Sequence, residues 1–277
     1  MKKTLKLELS RAFNSRGMAL ALIIGIMIAA AEVVMVQLPR AEANAEAAAT
    51  LLFEEYPIIS PTNASEAWIA GHTNLPGFIY YLILPILAAL PFGTSYFEDI
   101  HGGFLKGIYM RTPRRHYLAA KYVAVFVSGG TAAAIPLIMN YGAALMLLPN
   151  LLPNVIYHMG GIGASEAFYQ IYFSHPSVYI VMYLLIDFCM GGMWACIALA
   201  ASNLSDYKII ILIVPFFIQL VIHVLCTILN QAVYSPVYVS QSGHGMKYWW
   251  LAGAYLFAGI AASLIIFKNK GEKEDVF

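Results

Sequence analysis

Six stretches of the chain are each long and apolar enough to cross a lipid bilayer, since about 20 apolar residues span the hydrocarbon layer of roughly 30 Å. The predicted spans cover residues 18–38, 77–97, 122–148, 177–201, 209–230 and 248–267. Hydrophobic residues make up 60% of the chain and charged residues only 11%, whereas about 25% charged residues is usual in a soluble domain. The sequence therefore predicts an all-α polytopic membrane protein, with six transmembrane helices in a single transmembrane domain over residues 1–277.

The basic residues are distributed unevenly over the connections between these stretches. If the N-terminus is cytoplasmic, fourteen of the 16 Lys and Arg residues fall on inner segments, and only Arg40 and Lys247 fall outside. Cytoplasmic loops of membrane proteins carry such an excess of Lys and Arg. This bias predicts a multi-pass protein of the cell (cytoplasmic) membrane with both termini cytoplasmic. The net charge of +1 says little about partners, because the sum hides the separation of charge across the membrane. Nucleic-acid binding has no support in the sequence, and the lipid bilayer is an expected partner.

The first 16 residues combine basic side chains with regularly spaced apolar ones. Leu5, Leu9 and Phe13 recur every four residues, while Lys3 and Arg11 occupy other faces. This pattern predicts a basic amphipathic helix over residues 1–16 that lies in the inner membrane interface, where Lys and Arg meet anionic headgroups. The alternative is an extended basic segment that only sets the orientation of the first span.

Two of the connections expected outside the membrane are long. Residues 39–76 are acidic with an Ala-rich middle, and residues 149–176 contain glycines and a run of aromatic residues. Loops longer than about 15 residues are usually functional or disordered, so these two are expected to cap or gate something outside. The outer segments contain four histidines, which are His72, His158, His175 and His244. Their spacing is not typical of a metal site. No metal site is therefore predicted.

The connection between the second and third predicted spans is the most chemically distinctive segment of the chain. It opens on the acidic pair Glu98 and Asp99, continues through glycines, and ends in a basic turn around Pro113. Because Pro113 lacks an N–H donor and restricts the residue before it, we expect a short helix, a turn and then the start of the third span. Such a helix is well placed to receive a soluble partner. The same basic residues could equally serve only to fix the topology and to bind lipid phosphates.

The order of residues in this connection resembles that of the membrane subunit of ABC-2 type transporters. The resemblance is carried by an acidic residue after the second span, a glycine, a basic turn with Pro and Arg, and a Lys at the start of the third span. In this chain these positions are Glu98, Gly103, Lys106, Pro113, Arg114 and Lys121. The six-span layout and the amphipathic N-terminal helix are also similar to that family, so the resemblance covers nearly the whole chain.

The resemblance implies the permease subunit of an exporter, which forms a translocation pathway as a homodimer or heterodimer. It also implies that residues 98–116 hold a coupling helix that docks on a separate cytoplasmic ABC ATPase, with residues 1–16 as the elbow helix. The residues expected at this contact are Glu98, Asp99, Gly103, Lys106, Arg111, Pro113, Arg114, Arg115 and Lys121.

The sequence lacks the motif that would let this chain hydrolyse ATP itself. A Walker A loop needs Gly-Lys after a glycine-rich turn to hold the phosphates, and the dipeptide Gly-Lys does not occur here. We therefore expect no catalytic residues and no bound cofactor in this chain, and ATP with Mg²⁺ on the partner subunit.

Inside a predicted span an ionisable group costs roughly 2.5–3.5 kcal/mol and is a functional candidate by default. Asp187 lies in the middle of the fourth span, and Gln219 and His223 lie in the fifth span at a compatible depth. We predict a hydrogen bond or ion pair between Asp187 and His223, acting either as a structural clamp or as a substrate or gating contact. Glu32, near the outer end of the first span, is expected to snorkel toward the interface.

Two other functional classes are compatible with a chain of this kind. A non-transporting membrane protein, such as an immunity or sensor subunit, would show the same topology and the same basic loops. An intramembrane protease would need paired carboxylates and histidines at catalytic depth, whereas the only adjacent glutamates, Glu54 and Glu55, lie in an outer loop. The sequence therefore disfavours the protease and leaves the non-transporting subunit as the main alternative.

Overall fold

The computed structural model describes residues 2–50, 52–56, 60–153, 162, 166–202, 205–244 and 246–271. Parts of the two predicted outer loops, at 57–59, 154–161 and 163–165, lie outside the described residues, as do His158 and residues 272–277. Within the described ranges the regular structure is helical and contains no strand. The α-helices, in chain order, are α1 (Lys2–Phe13), α2 (Arg16–Glu32), α3 (Leu38–Ala49), α4 (Leu52–Glu55), α5 (Ala64–Ala67), α6 (Leu75–Ala89), α7 (Ser95–His101), α8 (Phe104–Tyr109), α9 (Arg114–Leu147), α10 (Tyr169–Ser174), α11 (Pro176–Ala201), α12 (Lys208–Ile228), α13 (Pro236–Val239) and α14 (Trp250–Gly271).

Five helical stretches in the described part of the chain are long and apolar enough to cross a membrane. They are the continuous stretch Arg16–Ala49, in which a π-helical turn over Val33–Gln37 joins α2 to α3, and the helices α9, α11, α12 and α14. The stretch Arg16–Ala49 and α9 each have 34 residues, or about 51 Å at the α-helical rise, which exceeds the hydrocarbon thickness. The start of the predicted loop at 39–76 is therefore a continuation of the first spanning helix.

The second predicted span, at residues 77–97, does not form one uninterrupted helix. Helix α6 has 15 residues, which gives about 22 Å and falls short of the roughly 30 Å hydrocarbon layer. The chain turns after Ala89, close to Pro91, and resumes as α7. Proline cannot donate to a helix and crowds the preceding turn, so a break at this point follows from the sequence. The described ranges thus contain five helices of spanning length and one shorter apolar helix.

The core of the bundle is the close contact between α9 and α11. A Cβ atom added to Gly129 would lie 2.4 Å from Cβ of Ala195, and one added to Gly191 would lie 2.6 Å from Cβ of Ala133. Any side chain larger than hydrogen at these two glycines would push the helices apart. Small residues at such positions let membrane helices approach closely and gain van der Waals contact.

The predicted N-terminal helix forms as α1 and packs against the side of α9. It ends at Phe13, and Ser15 then caps α2, since its Oγ accepts a hydrogen bond of 3.0 Å from the N–H of Met18. The same hydroxyl donates to the carbonyl oxygen of Pro91 at 2.8 Å. The junction between α1 and α2 is therefore attached to the turn between α6 and α7, which brings the N-terminal helix next to the connection that follows α6.

Candidate functional site

Four charged side chains from three helices form a buried group at the end of the bundle where α9 begins. Glu8 and Arg11 belong to α1, Asp99 belongs to α7, and Lys121 lies about two turns into α9. The side chains of Glu8 and Lys121 are 0% exposed, that of Asp99 is 2% exposed and that of Arg11 is 30% exposed. The two carboxylates balance the two cations, and we call these four residues the ion cluster.

The ion cluster is held by short, mutual contacts. Lys121 Nζ lies 2.6 Å from Oε2 of Glu8 and 2.5 Å from Oδ2 of Asp99. Arg11 donates from Nη2 to Oδ1 of Asp99 at 2.6 Å and from Nη1 to Oε1 of Glu8 at 3.0 Å. The hydroxyl of Tyr117 donates to Oδ2 of Asp99 at 2.5 Å. Each carboxylate therefore meets both cations, which is the condition under which charges are tolerated in a dry interior.

An aromatic ring also contacts each of the two cations of the ion cluster. The guanidinium carbon of Arg11 lies 4.4 Å from the centroid of the Phe104 ring, and Lys121 Nζ lies 4.4 Å from the centroid of the Phe92 ring. Cations over aromatic faces at this distance gain further electrostatic stabilisation. Phe104 belongs to α8, so Arg11 also connects α1 to that helix.

The surroundings of the two cluster members outside the spanning helices favour their charged forms. Burial alone would raise the pKa of Asp99, but the hydrogen bond from Arg11 and the charge of Lys121 outweigh burial and lower that pKa below its usual value. Desolvation opposes the charged form of Arg11 in the same way, but the hydrogen bond and charge of Asp99 and the charge of Glu8 raise its pKa above the usual value. Each of the two groups is therefore kept ionised by its neighbours.

This burial changes the role expected of Asp99 and Lys121. Both residues were expected at a contact with a cytoplasmic ATPase, but their side chains have almost no exposed surface in this arrangement. A partner cannot touch them without unpacking α1. Their contacts instead attach α1 and α7 to the start of α9. Asp99 and Lys121 therefore position the α7–α8 connection but do not form its exposed surface.

The turn between α7 and α8 directs a mixed apolar and basic surface outward. Gly103 has a φ of +69°, in the left-handed region that side chains with a Cβ rarely adopt. Leu105 is 1% exposed and holds α8 against the bundle, whereas Phe104, Lys106 and Met110 are exposed, Met110 by 76%. Among the residues predicted for an ATPase contact, Gly103 and Lys106 are therefore exposed.

Glu98 lies next to Asp99 in sequence but in a different environment. Its side chain is 49% exposed and pairs with Lys208, the first residue of α12, which is 55% exposed. An ion pair between two exposed side chains contributes little to stability, about 0–1 kcal/mol. Of the two adjacent acidic residues, Asp99 is therefore buried and Glu98 is exposed.

The residues of the basic turn before α9 also lie in different surroundings: some are exposed, one contacts an aromatic ring and one lines a cavity. Pro113 precedes the first residue of α9 and is exposed, as is Arg111. The guanidinium carbon of Arg114 lies 5.3 Å from the centroid of the Tyr109 ring, which connects α9 to α8. Arg115 lies on another side of α9, where it lines a cavity beside α14. Arg111 lines a different cavity, which lies between α1 and α8.

A groove of about 440 Å³ runs between α1 and α8. Lys3 and Arg111 contribute its basic residues, and Leu7, Phe104 and Ile108 contribute apolar surface. Leu7 is 48% exposed and Phe104 is 38% exposed. Exposed apolar side chains bordered by basic residues are typical of a surface that binds a protein partner or a membrane.

Within the apolar bundle, Asp187 and His223 do not form the predicted pair. Oδ2 of Asp187 accepts a hydrogen bond of 3.0 Å from the hydroxyl of Tyr81, and Oδ1 has no hydrogen-bond partner in the described part of the chain. Nδ1 of His223 lies 2.8 Å from Oγ of Ser235, which belongs to the connection after α12. The prediction was wrong because depth along two helices does not determine which faces they turn toward each other.

Gln219 has a clear structural partner in the shorter apolar helix. Its Nε2 donates to the carbonyl oxygen of Tyr81 at 2.8 Å and to that of Leu82 at 3.1 Å. Tyr81 stands four residues before Pro85, so its carbonyl lacks the N–H donor that an uninterrupted helix would supply. Gln219 replaces that donor from α12, which is how neighbouring helices make proline tolerable in an apolar environment.

Glu32 is buried and bonded, contrary to the expectation that it snorkels. Its side chain is 0% exposed, and its Oε2 accepts hydrogen bonds of 2.8 Å from Nε2 of Gln37 and 2.8 Å from Nδ2 of Asn140. Oδ1 of Asn140 accepts from the backbone N–H of Ile69 at 2.8 Å. The π-helical turn Val33–Gln37 brings Gln37 back over Glu32, because residues five apart share a face in such a turn.

Several residues of these polar groups were not predicted from the sequence. Glu8 had no predicted role, although it is the one acidic residue in an otherwise basic N-terminal helix and stands three residues before Arg11. That spacing places both side chains on one helix face and was a usable signal. Asn140 and Tyr81 carried no comparable signal, because a single amide or hydroxyl in an apolar run does not reveal its partner.

In the described part of the chain, no group of three or more His, Cys, Asp or Glu side chains is arranged so that it could hold a metal ion. The three cysteines, Cys189, Cys196 and Cys226, are unpaired. A scan against protein-family models and searches of curated proteins and of solved structures find no match to this chain. No family assignment follows from them, and the geometry of the ion cluster and of the α7–α8 connection is what bears on function.

Proposed function

We propose that this chain is the membrane-spanning subunit of an ATP-driven transporter of the ABC-2 type, acting in export. In this proposal a separate cytoplasmic ATPase binds at α7 and α8 and carries the ATP and Mg²⁺. Two permease subunits, identical or different, enclose the pathway through the cell membrane, with both termini of this chain cytoplasmic. The chain itself performs no hydrolysis.

The observation that supports this proposal best is the way the α7–α8 connection is anchored. A segment that transmits movement from a soluble motor to membrane helices must be firmly attached to those helices while it keeps an outer surface. Asp99 provides the attachment, through Lys121 to α9 and through Arg11 to α1. Helix α9 in turn packs closely along α11, so a displacement of α7 would reach the core of the bundle.

The outer surface of this segment has the composition of a protein-binding site. Met110 and Phe104 are exposed next to Lys106 and Arg111, and the groove between α1 and α8 adds Leu7. Exposed apolar side chains within a basic rim favour a partner that offers an apolar side chain surrounded by acidic residues. We therefore expect the ATPase surface that binds here to be acidic at its edge.

The proposal is tested by purifying the tagged chain from membranes of its own host and measuring vanadate-sensitive ATP hydrolysis in the preparation. A photo-crosslinking amino acid at position 110 identifies the bound chain, and mass spectrometry of the crosslinked product shows whether that chain contains a Walker A loop. We expect crosslinking to such a chain and co-purifying hydrolysis.

A charge-reversal variant and a matched control make the test specific. Lys106→Glu combined with Arg111→Glu should lower the amount of bound ATPase at least about tenfold, since like charges across an interface cost several kcal/mol. Lys247→Glu, an exposed basic residue of the connection before α14, should leave it unchanged. Crosslinking only to a chain without a Walker A loop would favour a non-transporting subunit of the immunity or sensor type, and equal ATPase recovery from both variants would contradict docking at α8.

A further inference from the structure

Two buried oxygen atoms in the polar group around Glu32 have no hydrogen-bond donor in the described part of the chain. They are Oε1 of Glu32 and Oε1 of Gln37, and both side chains are 0% exposed. Buried polar atoms are nearly always paired, because an unpaired one in an apolar environment costs free energy. The two oxygens therefore require a donor, which an ionised carboxylate cannot supply.

The two oxygens belong to groups that are already joined by one hydrogen bond. Nε2 of Gln37 donates to Oε2 of Glu32 at 2.8 Å. The amide and the carboxyl are both planar, so each free oxygen lies beside the atom of its own group that makes this bond. A carboxylate only accepts hydrogen bonds, whereas a protonated carboxyl also donates one. One proton on Glu32 would therefore satisfy both oxygens, through a second hydrogen bond parallel to the first.

We propose that Glu32 and Gln37 form a proton-binding site, in which Oε1 of Glu32 carries the proton and donates a hydrogen bond to Oε1 of Gln37. Glu32 stands 16 residues after Arg16, the start of the first spanning stretch, which is about 24 Å along the helix and within a hydrocarbon layer of roughly 30 Å. A charged carboxylate at this depth is costly unless a cation pairs with it. In the described ranges Glu32 forms no ion pair.

The titratable and charged side chains on the elements around Glu32 are Arg40 on α3, Glu66 on α5, His72 between α5 and α6, Tyr80 on α6 and Tyr141 on α9. Arg40 acts on Glu32 through its charge, while its Nη1 lies 3.5 Å from the carbonyl oxygen of Glu66. A positive charge near a carboxyl favours the ionised form. Arg40 therefore opposes the proton, which gives the site a neighbour whose removal should strengthen proton binding.

A proton suits this site better than a metal ion does. Ca²⁺ and Mg²⁺ take about six or more oxygen ligands, whereas Glu32 and Gln37 offer two free side-chain oxygens. Oε2 of Glu32 already accepts from Gln37 and Asn140. A proton requires only one oxygen that carries it and one that accepts the resulting hydrogen bond.

Asn140 connects the site to the outer end of the bundle. Its Nδ2 donates to Oε2 of Glu32 at 2.8 Å, and its Oδ1 accepts from the N–H of Ile69 at 2.8 Å. Ile69 is 0% exposed and belongs to the connection between α5 and α6. Loss of the proton would leave a negative charge beside the carbonyl oxygen of Gln37 and disturb this alignment. The proton thus controls how firmly the α5–α6 connection is held on α9.

Infrared spectroscopy of the purified full chain in lipid nanodiscs tests the site, because a protonated carboxyl has a C=O stretching band separate from that of a carboxylate. Glutamate that carries a heavy carbon isotope in its side-chain carboxyl shifts the band of Glu32 but not that of Asp187. We expect a band of protonated glutamate that is lost in Glu32→Gln, whose amide can make the same two hydrogen bonds. Glu46→Gln, at an exposed position of α3, is the matched control and should keep the band.

The absence of such a band from the wild type, or its survival in folded Glu32→Gln, would overturn the proposal. The two oxygens would then be bridged by water or by a cation. A spanning helix stays in an apolar environment when a membrane protein unfolds in detergent. Protonation of Glu32 is therefore measured spectroscopically and not from the pH dependence of stability.

A second variant keeps the carboxyl and changes only its surroundings. Arg40→Gln removes the opposing charge, so the band of protonated glutamate should persist to a higher pH than in the wild type as the pH is raised. This arm does not depend on the folding of Glu32→Gln. If the band disappears at the same pH in both proteins, it belongs to another glutamate and the assignment to Glu32 is wrong.

Hydrogen exchange measured by mass spectrometry tests the connection to the outer end. At a pH above the loss of the band, the backbone amides of residues 67–71 should exchange faster in the wild type than in Glu32→Gln, which is neutral at every pH. A comparison at one pH keeps the intrinsic exchange rates equal. Equal exchange in this segment would overturn control of the α5–α6 connection by the proton. These experiments contain no ATPase, so their outcome is independent of the proposed transport function.

Discussion

Lys121 in α9 and Glu8 in α1 form an ion pair with no exposed surface on either side chain, with 2.6 Å between Nζ and Oε2. A Lys this deep in a membrane protein is expensive unless its charge is matched. The pair therefore makes the packing of the N-terminal helix a requirement for the stability of α9. Asp99 joins the same pair from α7, so three separate segments depend on one set of charges.

The first prediction concerns the two adjacent acidic residues at the start of the α7–α8 connection. Asp99→Asn removes one of two carboxylates that face two cations and leaves excess positive charge buried. Breaking a buried pair in this way costs about 3–5 kcal/mol, so the unfolding midpoint in detergent should fall clearly. Glu98→Gln is the matched control, because its pair with Lys208 is exposed and contributes at most about 1 kcal/mol. Equal effects of the two substitutions would contradict the assigned burial.

A second prediction follows from the hydrogen bond between Gln219 and the carbonyl oxygen of Tyr81. Gln219→Leu leaves that carbonyl without a donor in an apolar environment, at a cost of about 1–3 kcal/mol. The cost should shrink in a Pro85→Ala background, because residue 85 then supplies its own N–H to the same carbonyl. A double-mutant cycle on unfolding in detergent measures this coupling, which we expect to be about 1 kcal/mol. Additive effects would show that Gln219 does not compensate for the proline.

The third prediction concerns His72, which lies between α5 and α6. Burial, together with the charge of Arg40, lowers the pKa of His72 to about 4. Its Nε2 lies 3.2 Å from Nδ2 of Asn74, a group that can only donate, so Nε2 carries no proton and Nδ1 donates to the carbonyl oxygen of Glu66.

The pH dependence has a definite sign. Between the folded pKa of about 4 and the unfolded value of 6.5, the unfolded chain binds more protons than the folded one. Stability therefore rises with pH through this window and is lost as the pH falls toward 4. His72→Gln removes the titration, and its thermal midpoint should vary less between pH 7 and pH 4.5 than that of the wild type. The same slope in both proteins would rule out His72 as its source.

The fourth prediction tests the polar group around Glu32. Asn140→Ala removes a donor to Glu32 and the acceptor for the N–H of Ile69. Because each buried group left without a partner costs about 1–3 kcal/mol, a total loss of at least about 2 kcal/mol is expected. Asn14→Ala, at an exposed position bonded to Ser10, should cost less than about 1 kcal/mol. Unfolding curves of the two variants in the same detergent measure the difference.

Length and apolar composition were sufficient to predict the long spanning helices, because both properties are local to each segment. The second span was predicted with kinks at Pro85 and Pro91; the helix continues through Pro85 and ends at Ala89, close to Pro91. The basic N-terminal helix was also predicted from its pattern. Its inward-facing Glu8 was not, because the partner Lys121 is far away in the sequence and belongs to a different predicted element.

The burial and the partners of the polar residues could not be predicted from the sequence. Asp99 and Lys121 were identified as important, but as contact residues implied by the resemblance to a permease, and that resemblance does not tell which side chains of the connection are buried. Asp187 and His223 were paired by depth alone, whereas their actual partners, Tyr81 and Ser235, depend on the rotation of each helix. Rotation is set by packing against all neighbours at once, which one segment of sequence does not contain.

The π-helical turn Val33–Gln37 acts as a single-residue insertion in the first spanning helix. One residue corresponds to about 100° of rotation in an α-helix. The residues of α3 that share a face with those of α2 are therefore offset by one position from the spacing of a uniform α-helix. Deleting one residue from 33–36 would restore a uniform helix with nearly the same composition and hydropathy. Gln37 would then stand four residues after Glu32, a spacing that also places both side chains on one face of an α-helix. The π-helical turn therefore absorbs one surplus residue without turning the polar face of α3 away from that of α2.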